Sequence, residues 1–175
     1  MGSRFAIVGV GNILMGDEGA GVEAVRLIGE MGLPEGVDLI DAGTAFFTIA
    51  PGLDKHNYKK LFIIDAVKGG GKPGTLYRFT MDEVDCGIGP GKEMLSLHEF
   101  GVLEALKLER LIGRLPEEII FYGIEPEVIK LSMEISPVVR KSLKVLSRRL
   151  LDELEVDSRK FQDMGYRAPH KMKED

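Results

Sequence analysis

The chain has 175 residues, the usual length of one domain and enough to bury a hydrophobic core. Its net charge is −5 at pH 7 and it has no basic stripe, so the composition argues against a nucleic-acid partner. No apolar run approaches the ~20 residues of a membrane-spanning helix, and the N-terminus lacks a signal-peptide pattern. These features predict a cytoplasmic protein without membrane insertion.

The single cysteine, Cys86, excludes a disulfide framework and is typical of a protein from a reducing compartment. Its neighbours Asp82, Glu83 and Asp85 are acidic and would disfavour a thiolate. We therefore do not expect Cys86 to be a catalytic nucleophile.

The N-terminal sequence FAIVGVGNILMGDEGAGV, residues 5–22, predicts a buried strand, a glycine turn and the start of a helix. The strand is predicted over 4–10 and the helix over 17–31, with Asp17 as its cap. Glu18 then lies in the first helical turn, where the helix dipole favours an ionised carboxylate. Because a carboxylate there repels phosphate, we expect the turn to bind a cation rather than a nucleotide. The predicted buried face of the helix consists of Val22, Val25, Ile28 and Met31.

Apolar runs further along the chain predict the remaining strands. They cover residues 37–41, 60–65 and 118–123, and alternation over 75–79 predicts a strand at an edge of the sheet. Residues 80–95 are rich in glycine and predict an irregular loop.

Helices are predicted between these strands. The pattern over residues 44–57 is ambiguous, but Phe46, Phe47 and Ile49 indicate a short buried helix, and a further helix is expected over 96–112. The latter begins with an S-x-x-E capping box formed by Ser96 and Glu99. The last helix begins at Ser136, because the next residue is a proline, which favours the first turn of a helix.

The alternation of strands and helices predicts a three-layer αβα domain with a mostly parallel twisted sheet over residues 1–156. Residues 157–175 are polar and aperiodic and predict a mobile C-terminal tail. In such sheets, ligands bind beyond the carboxyl ends of the strands, at the point where the strand order reverses. The acidic residues predicted at or just after strand ends are Glu18, Asp41, Asp65 and Glu125.

Glu18, Asp65 and His98 are candidate metal ligands from three separate parts of the chain. Two carboxylates and an imidazole suit a borderline divalent ion such as zinc or nickel. From spacing alone, each residue also fits a purely structural role, because acidic residues at helix starts commonly serve the helix dipole.

Nucleotide binding is not predicted. Gly9 and Gly11 begin a dinucleotide-binding pattern, but its third glycine would fall where Leu14 stands. The chain also contains no G-x-x-x-x-G-K-[ST] phosphate-binding loop.

The segment Gly9–Val22, which reads G-x-G-N-x-L-x-G-D-E-G-x-G-V, resembles the N-terminal signature of hydrogenase maturation endopeptidases. These enzymes trim the C-terminus of the large subunit of nickel–iron hydrogenases. The resemblance covers about residues 4–150. Residues 80–95 match no motif of the family, and Ser132 stands where the family has glycine. Further family motifs occur in order at Asp41–Thr44, Ile64–Ala66, Ser96–Gly101, Gly123–Glu127 and Ile135–Val139.

The resemblance implies a phosphorylase/hydrolase-like fold and an aspartic-type endopeptidase that acts on a hydrogenase large-subunit precursor after nickel insertion. It also implies that Glu18, Asp65 and His98 contact nickel supplied by the precursor, with no permanent metal in the peptidase. For the attack on the peptide bond, Asp41 or Asp65 as general base and a nickel-polarised water or carbonyl are both compatible. Further residues expected to bind substrate are Asn12, Asp17, Thr44 and Glu125.

Two other functions compete with this interpretation. The G-x-G-N opening is also similar to that of peptidyl-tRNA hydrolases, but no histidine lies near Asn12 in the sequence and the D-E-G turn would repel RNA. The second alternative is a nickel carrier without catalytic activity.

Overall fold

The computed structural model describes residues 5–56, 58–85, 99–113, 115–116 and 118–163. Their core is a five-stranded sheet with the strand order β2-β1-β3-β5-β4. Four strands are parallel, and β4 pairs antiparallel with β5. β4 lies at one edge of the sheet, as predicted. The strands are β1 (Phe5–Val10), β2 (Val37–Gly43), β3 (Lys60–Ala66), β4 (Leu76–Thr80) and β5 (Glu118–Ile124).

Helices cover both faces of the sheet, which confirms the predicted three-layer α/β fold. Alternate residues of β1 point to opposite faces, so Phe5 and Ile7 enter one core while Ala6 and Val8 enter the other. The first core includes α1 and α5, which pack together, and the second includes α2 and α4. The helices are α1 (Ala20–Met31), α2 (Phe46–Ile49), α3 (Met81–Asp85), α4 (Glu99–Leu111) and α5 (Pro137–Asp163).

The predicted helix over 17–31 is divided into two parts. A 3-10 helix spans Gly16–Gly19 and precedes α1, and Asp17 does not cap either of them with its side chain. The predicted apolar face is therefore partly wrong: Met31 is 47% exposed, and the small residues Ala20 and Ala24 are buried in its place. Small side chains let the start of α1 approach the strands closely.

Part of the predicted 80–95 loop is helical. Thr80 and Glu83 form a reciprocal capping box, in which the Glu83 Oε2 accepts from the Thr80 N–H at 2.7 Å. In return, the Thr80 Oγ1 accepts from the Glu83 N–H at 3.2 Å. The T-x-x-E pattern of residues 80–83 is typical of a helix start and could have predicted α3. Cys86, the rest of the loop and Ser96, the predicted capping residue, lie outside the described residues.

The expected boundary at residue 157 is also wrong for the described part of the chain. Helix α5 continues to Asp163, and the buried Asp157 accepts a hydrogen bond of 2.6 Å from the Nζ of Lys60. The remainder of the predicted tail, from 164 onward, lies outside the described residues. None of the helices in the described ranges is long and apolar enough to cross a membrane.

Candidate active site

The strand order reverses between β1 and β3, and the start of α1 lies over the crevice at that point. From β1 the chain continues to β2, which pairs with β1 on one side, while β3 pairs with β1 on the other side. A Cβ added to Gly21 would lie 2.1 Å from the Ile64 carbonyl oxygen and 2.2 Å from that of Val10. Only glycine lets the helix approach both strands this closely, and the approach brings residues 16–19 to the rim.

Glu18, in the connection after β1, and Asp65, near the end of the neighbouring strand β3, lie at this rim, and both residues are 6% exposed. Glu18 belongs to the 3-10 helix after β1, and this helix packs against β3. Asp65 lies near the end of β3, where its Oδ1 accepts a hydrogen bond of 2.7 Å from the Ala66 N–H. The rim thus combines two buried carboxylates that are far apart in sequence.

The third candidate ligand, His98, lies immediately before α4 and outside the described residues. Within the described ranges, no group of three His, Cys, Asp or Glu residues is arranged to hold a metal ion. The proposed triad therefore stays a prediction.

Asp41 lies on β2 opposite Gly9 of β1, close to the same rim. Its side chain is exposed, and its Oδ1 accepts a hydrogen bond of 3.0 Å from the Gly43 N–H. An exposed carboxylate at the end of a strand is accessible to water, which a general base requires.

Two predicted substrate-binding residues flank the rim. Asn12 is half-buried, and its Oδ1 accepts a hydrogen bond of 3.0 Å from the Leu14 N–H, which shapes the turn after β1. Thr44 follows β2 and is exposed.

The other two, Asp17 and Glu125, have internal structural roles that the sequence did not predict. Asp17 is 1% exposed, and its carboxylate accepts hydrogen bonds from three backbone N–H groups in the connection between β5 and α5. Whether Asp17 also contacts substrate stays a prediction.

Glu125 follows β5 and orders the connection between β3 and β4. Its Oε2 accepts hydrogen bonds from the Gly69 N–H at 2.7 Å, the Gly71 N–H at 3.2 Å and the Tyr77 hydroxyl at 2.7 Å. Burial and the hydrogen bond to Glu125 raise the pKa of Tyr77. The tyrosine therefore remains a hydrogen-bond donor to the carboxylate at neutral pH.

Gly16, in the connection after β1, contacts Ser132, in the connection between β5 and α5. This contact was not predicted from the sequence. Gly16 has a φ of +62°, and a Cβ there would lie 2.9 Å from the Val128 carbonyl oxygen. The Gly16 N–H donates to the Ser132 oxygen at 2.7 Å, and the Ser132 N–H donates to the Leu14 oxygen at 2.9 Å. The glycine before the D-E-G turn was the signal for this close contact.

Comparison with known proteins identifies the family. The family model described as HycI, hydrogenase maturation protease, matches residues 22–153. The hydrogenase expression/formation protein HoxM of Azotobacter vinelandii is 33% identical over an alignment of 153 residues, and the match covers 82% of this chain and 72% of HoxM. The chain therefore belongs to the hydrogenase maturation protease family.

Solved structures agree with this assignment. The hydrogenase maturating endopeptidase HybD from Escherichia coli is 28% identical with a TM-score of 0.76, covering 88% of this chain and 93% of HybD. The [NiFe] hydrogenase maturation protease HybD from Thermococcus kodakarensis is 32% identical with a TM-score of 0.71, covering 86% and 98%. These matches confirm the predicted family, its peptidase class and the α/β fold. The aspartic type and nickel recognition stay predictions.

Proposed function

We propose that this protein is an endopeptidase that removes the C-terminal extension of a nickel–iron hydrogenase large-subunit precursor after nickel insertion. Membership of the hydrogenase maturation protease family supports the reaction class. The observation that carries the proposal is the pair of buried carboxylates, Glu18 and Asp65, beside the point where the strand order reverses. Ligands of parallel α/β sheets commonly bind at such a point.

In this proposal, nickel belongs to the substrate and is recognised by Glu18, Asp65 and His98. Two carboxylates and one imidazole form a donor set that nickel accepts. Contact with the precursor's nickel would hold the nearby scissile peptide against the rim.

Hydrolysis then requires a base and a positioned peptide bond. Asp41 or Asp65 takes a proton from the attacking water, or the precursor's nickel polarises the water or the carbonyl instead. Holding the peptide and the water together contributes up to about 7–11 kcal/mol to lowering the barrier. Asn12 and Thr44 lie where the precursor's chain would reach the rim. Asp17 and Glu125 shape the surrounding connections. Release of the extension would allow the precursor to close over its metal centre.

The test is incubation of the purified protein with nickel-loaded and nickel-free precursor, followed by mass spectrometry of the large subunit. We expect loss of a C-terminal fragment only from the nickel-loaded precursor. Glu18→Gln, Asp65→Asn and His98→Ala should abolish trimming while the circular dichroism spectrum is retained. Glu30→Gln is the matched control, because Glu30 is an exposed carboxylate on α1 whose partner is the exposed Arg26.

Two results would contradict the proposal. Unimpaired trimming by the three site variants would exclude the triad, and an intact precursor with the wild-type protein would exclude the activity. Equilibrium dialysis with nickel distinguishes the proposed peptidase from a nickel carrier without catalytic activity. A carrier binds free nickel tightly, whereas a peptidase of this kind binds it weakly without its precursor.

A further inference from the structure

We propose that Asp17 is a positioning residue for Glu18: its buried carboxylate fastens the β5–α5 connection to the turn that carries Glu18. This inference rests on the proposed function, since it assigns Asp17 a part in precursor trimming. It differs from the substrate contact predicted from the sequence, because Asp17 acts here through its neighbour.

The Asp17 carboxylate accepts hydrogen bonds from three backbone N–H groups of the β5–α5 connection. Its Oδ2 accepts hydrogen bonds of 2.9 Å from the N–H groups of both Glu127 and Val128. Its Oδ1 accepts one of 2.7 Å from the N–H of Ser136, which is the residue before α5. Both oxygens of a side chain that is 1% exposed are thus engaged by backbone donors of one connection.

Backbone hydrogen bonds complete the attachment. The Asp17 N–H donates to the Val128 oxygen at 3.0 Å, and the Gly16 N–H donates to the Ser132 oxygen at 2.7 Å. The side chain and the backbone of the turn therefore both bind the β5–α5 connection. A negative charge among three N–H groups makes these bonds stronger than bonds between neutral partners.

Glu18 is held by the same 3-10 turn as Asp17. The turn ends at Gly19, directly before α1, and the Glu18 N–H donates back to the Met15 carbonyl oxygen at 3.4 Å. A Cβ on Gly11 would lie 2.0 Å from the Glu18 carbonyl oxygen, so the backbone of Glu18 also packs directly on the end of β1. The Glu18 backbone packs against the residue after β1, and its neighbours Gly16 and Asp17 bind the β5–α5 connection. The Glu18 backbone therefore has little room to shift.

Replacing Asp17 by asparagine keeps the size of the side chain but changes its hydrogen bonding. The amide has one acceptor oxygen, and its NH₂ group is a donor that must face at least one of the three backbone N–H groups. The connection should therefore relax away from the turn, and Glu18 should move with it.

The experiment compares steady-state trimming of nickel-loaded precursor by wild type, Asp17→Asn, Asp17→Glu and the control Asp157→Asn, with each rate normalised to the folded fraction. The wild type is measured first, because absence of trimming there would refute the proposed function rather than this inference. Asp157 is the matched control: it is also a buried acidic residue, but it binds Lys60 at the start of β3, the end of the strand away from the rim.

We expect Asp17→Asn to lower kcat at least about tenfold while KM stays within about threefold, since small displacements of a positioned group affect the chemical step. Asp157→Asn should lower Tm but leave kcat per folded molecule unchanged. Asp17→Glu retains the charge and displaces it by one methylene, so an intermediate kcat is expected, and it serves as the readout if Asp17→Asn does not fold. Wild-type kcat in every folded Asp17 variant, or an equal loss of kcat in Asp157→Asn, would overturn the inference.

Discussion

The ammonium group of Lys60 lies 2.6 Å from the Oδ2 of Asp157, and this ion pair joins the first residue of β3 to the last third of α5. The side chains are only 9% and 12% exposed. Lys60 also lies 3.0 Å from the half-exposed Glu118 at the start of β5. Burial opposes the charge of Lys60, but hydrogen bonds to the two carboxylates outweigh it and raise its pKa. The pair therefore ties the helix to the sheet at the end remote from the rim.

Asp157→Asn should lower the free energy of unfolding by about 2–3 kcal/mol, because it leaves a largely buried ammonium with only its exposed partner. Denaturation by urea at pH 7 measures the change. Asp152→Asn is the matched control on the same helix, where the side chain is exposed, and it should change stability by less than about 0.5 kcal/mol. Equal stability of the two variants would mean that the buried pair contributes nothing.

Tyr122 provides a test at alkaline pH. Burial, together with its hydrogen bond to Glu153, raises the pKa of Tyr122 to about 12. A folded-state pKa above the unfolded value of about 10 stabilises the protein fully below pH 10, and this contribution is lost as the pH rises through 12. Tyr122→Phe lacks this titration.

The free energy of unfolding should therefore be lower for Tyr122→Phe than for wild type at pH 8, and the difference should shrink between pH 10 and 12. Urea denaturation at a series of pH values measures both curves. Lys60 titrates in the same direction in both proteins and so does not affect the difference. A constant difference across this range would show that the folded state does not favour the protonated tyrosine.

The fold was largely predictable because its signals are local. The central strands are buried on both faces and appear as continuous apolar runs, of which KLFIID in β3 is an example. The end of α5 was not predicted, because the polar Asp157 occupies the next buried position after Leu154 and pairs with Lys60, 97 residues earlier. A polar residue that is buried by a distant partner has the same local signature as an exposed one.

The candidate site was predictable only in part, for the same reason. Parallel strands place their carboxyl ends along one edge, so positions just after β1 and near the end of β3 indicated that Glu18 and Asp65 would lie at one rim. The partners of Asp17 are 110 to 119 residues away, and nothing in the D-E-G motif specifies them. The motif indicated an acidic turn rather than a phosphate site. It did not indicate that Asp17 binds backbone N–H groups while Glu18 is the residue expected to bind nickel.

Gly21 offers a test of the close approach of α1 to the strands. Gly21→Ala should destabilise the protein by more than about 3 kcal/mol, because its Cβ would meet backbone oxygens of two central strands, which cannot move independently. Gly101→Ala in α4 is the matched control, since its Cβ would have no neighbour within 4 Å among the residues that the structure describes. This control should raise stability by up to about 1 kcal/mol through helix propensity. Thermal denaturation of both variants measures the effects, and wild-type stability of Gly21→Ala would contradict the packing at the rim.

Two substitutions of Glu125 separate the loss of its hydrogen-bond acceptor from the loss of its charge. Glu125→Ala removes the acceptor shared by Gly69, Gly71 and Tyr77, and should lower stability by about 1–3 kcal/mol because these donors lose their buried partner. Glu125→Gln retains one acceptor oxygen of the same reach, so its loss should be clearly smaller. Amide hydrogen exchange should accelerate at Gly69 and Gly71 in the alanine variant and much less in the glutamine variant. Wild-type exchange at both glycines in the alanine variant would show that Glu125 does not order this connection, whereas the expected acceleration would show that its carboxylate holds the β3–β4 connection in place.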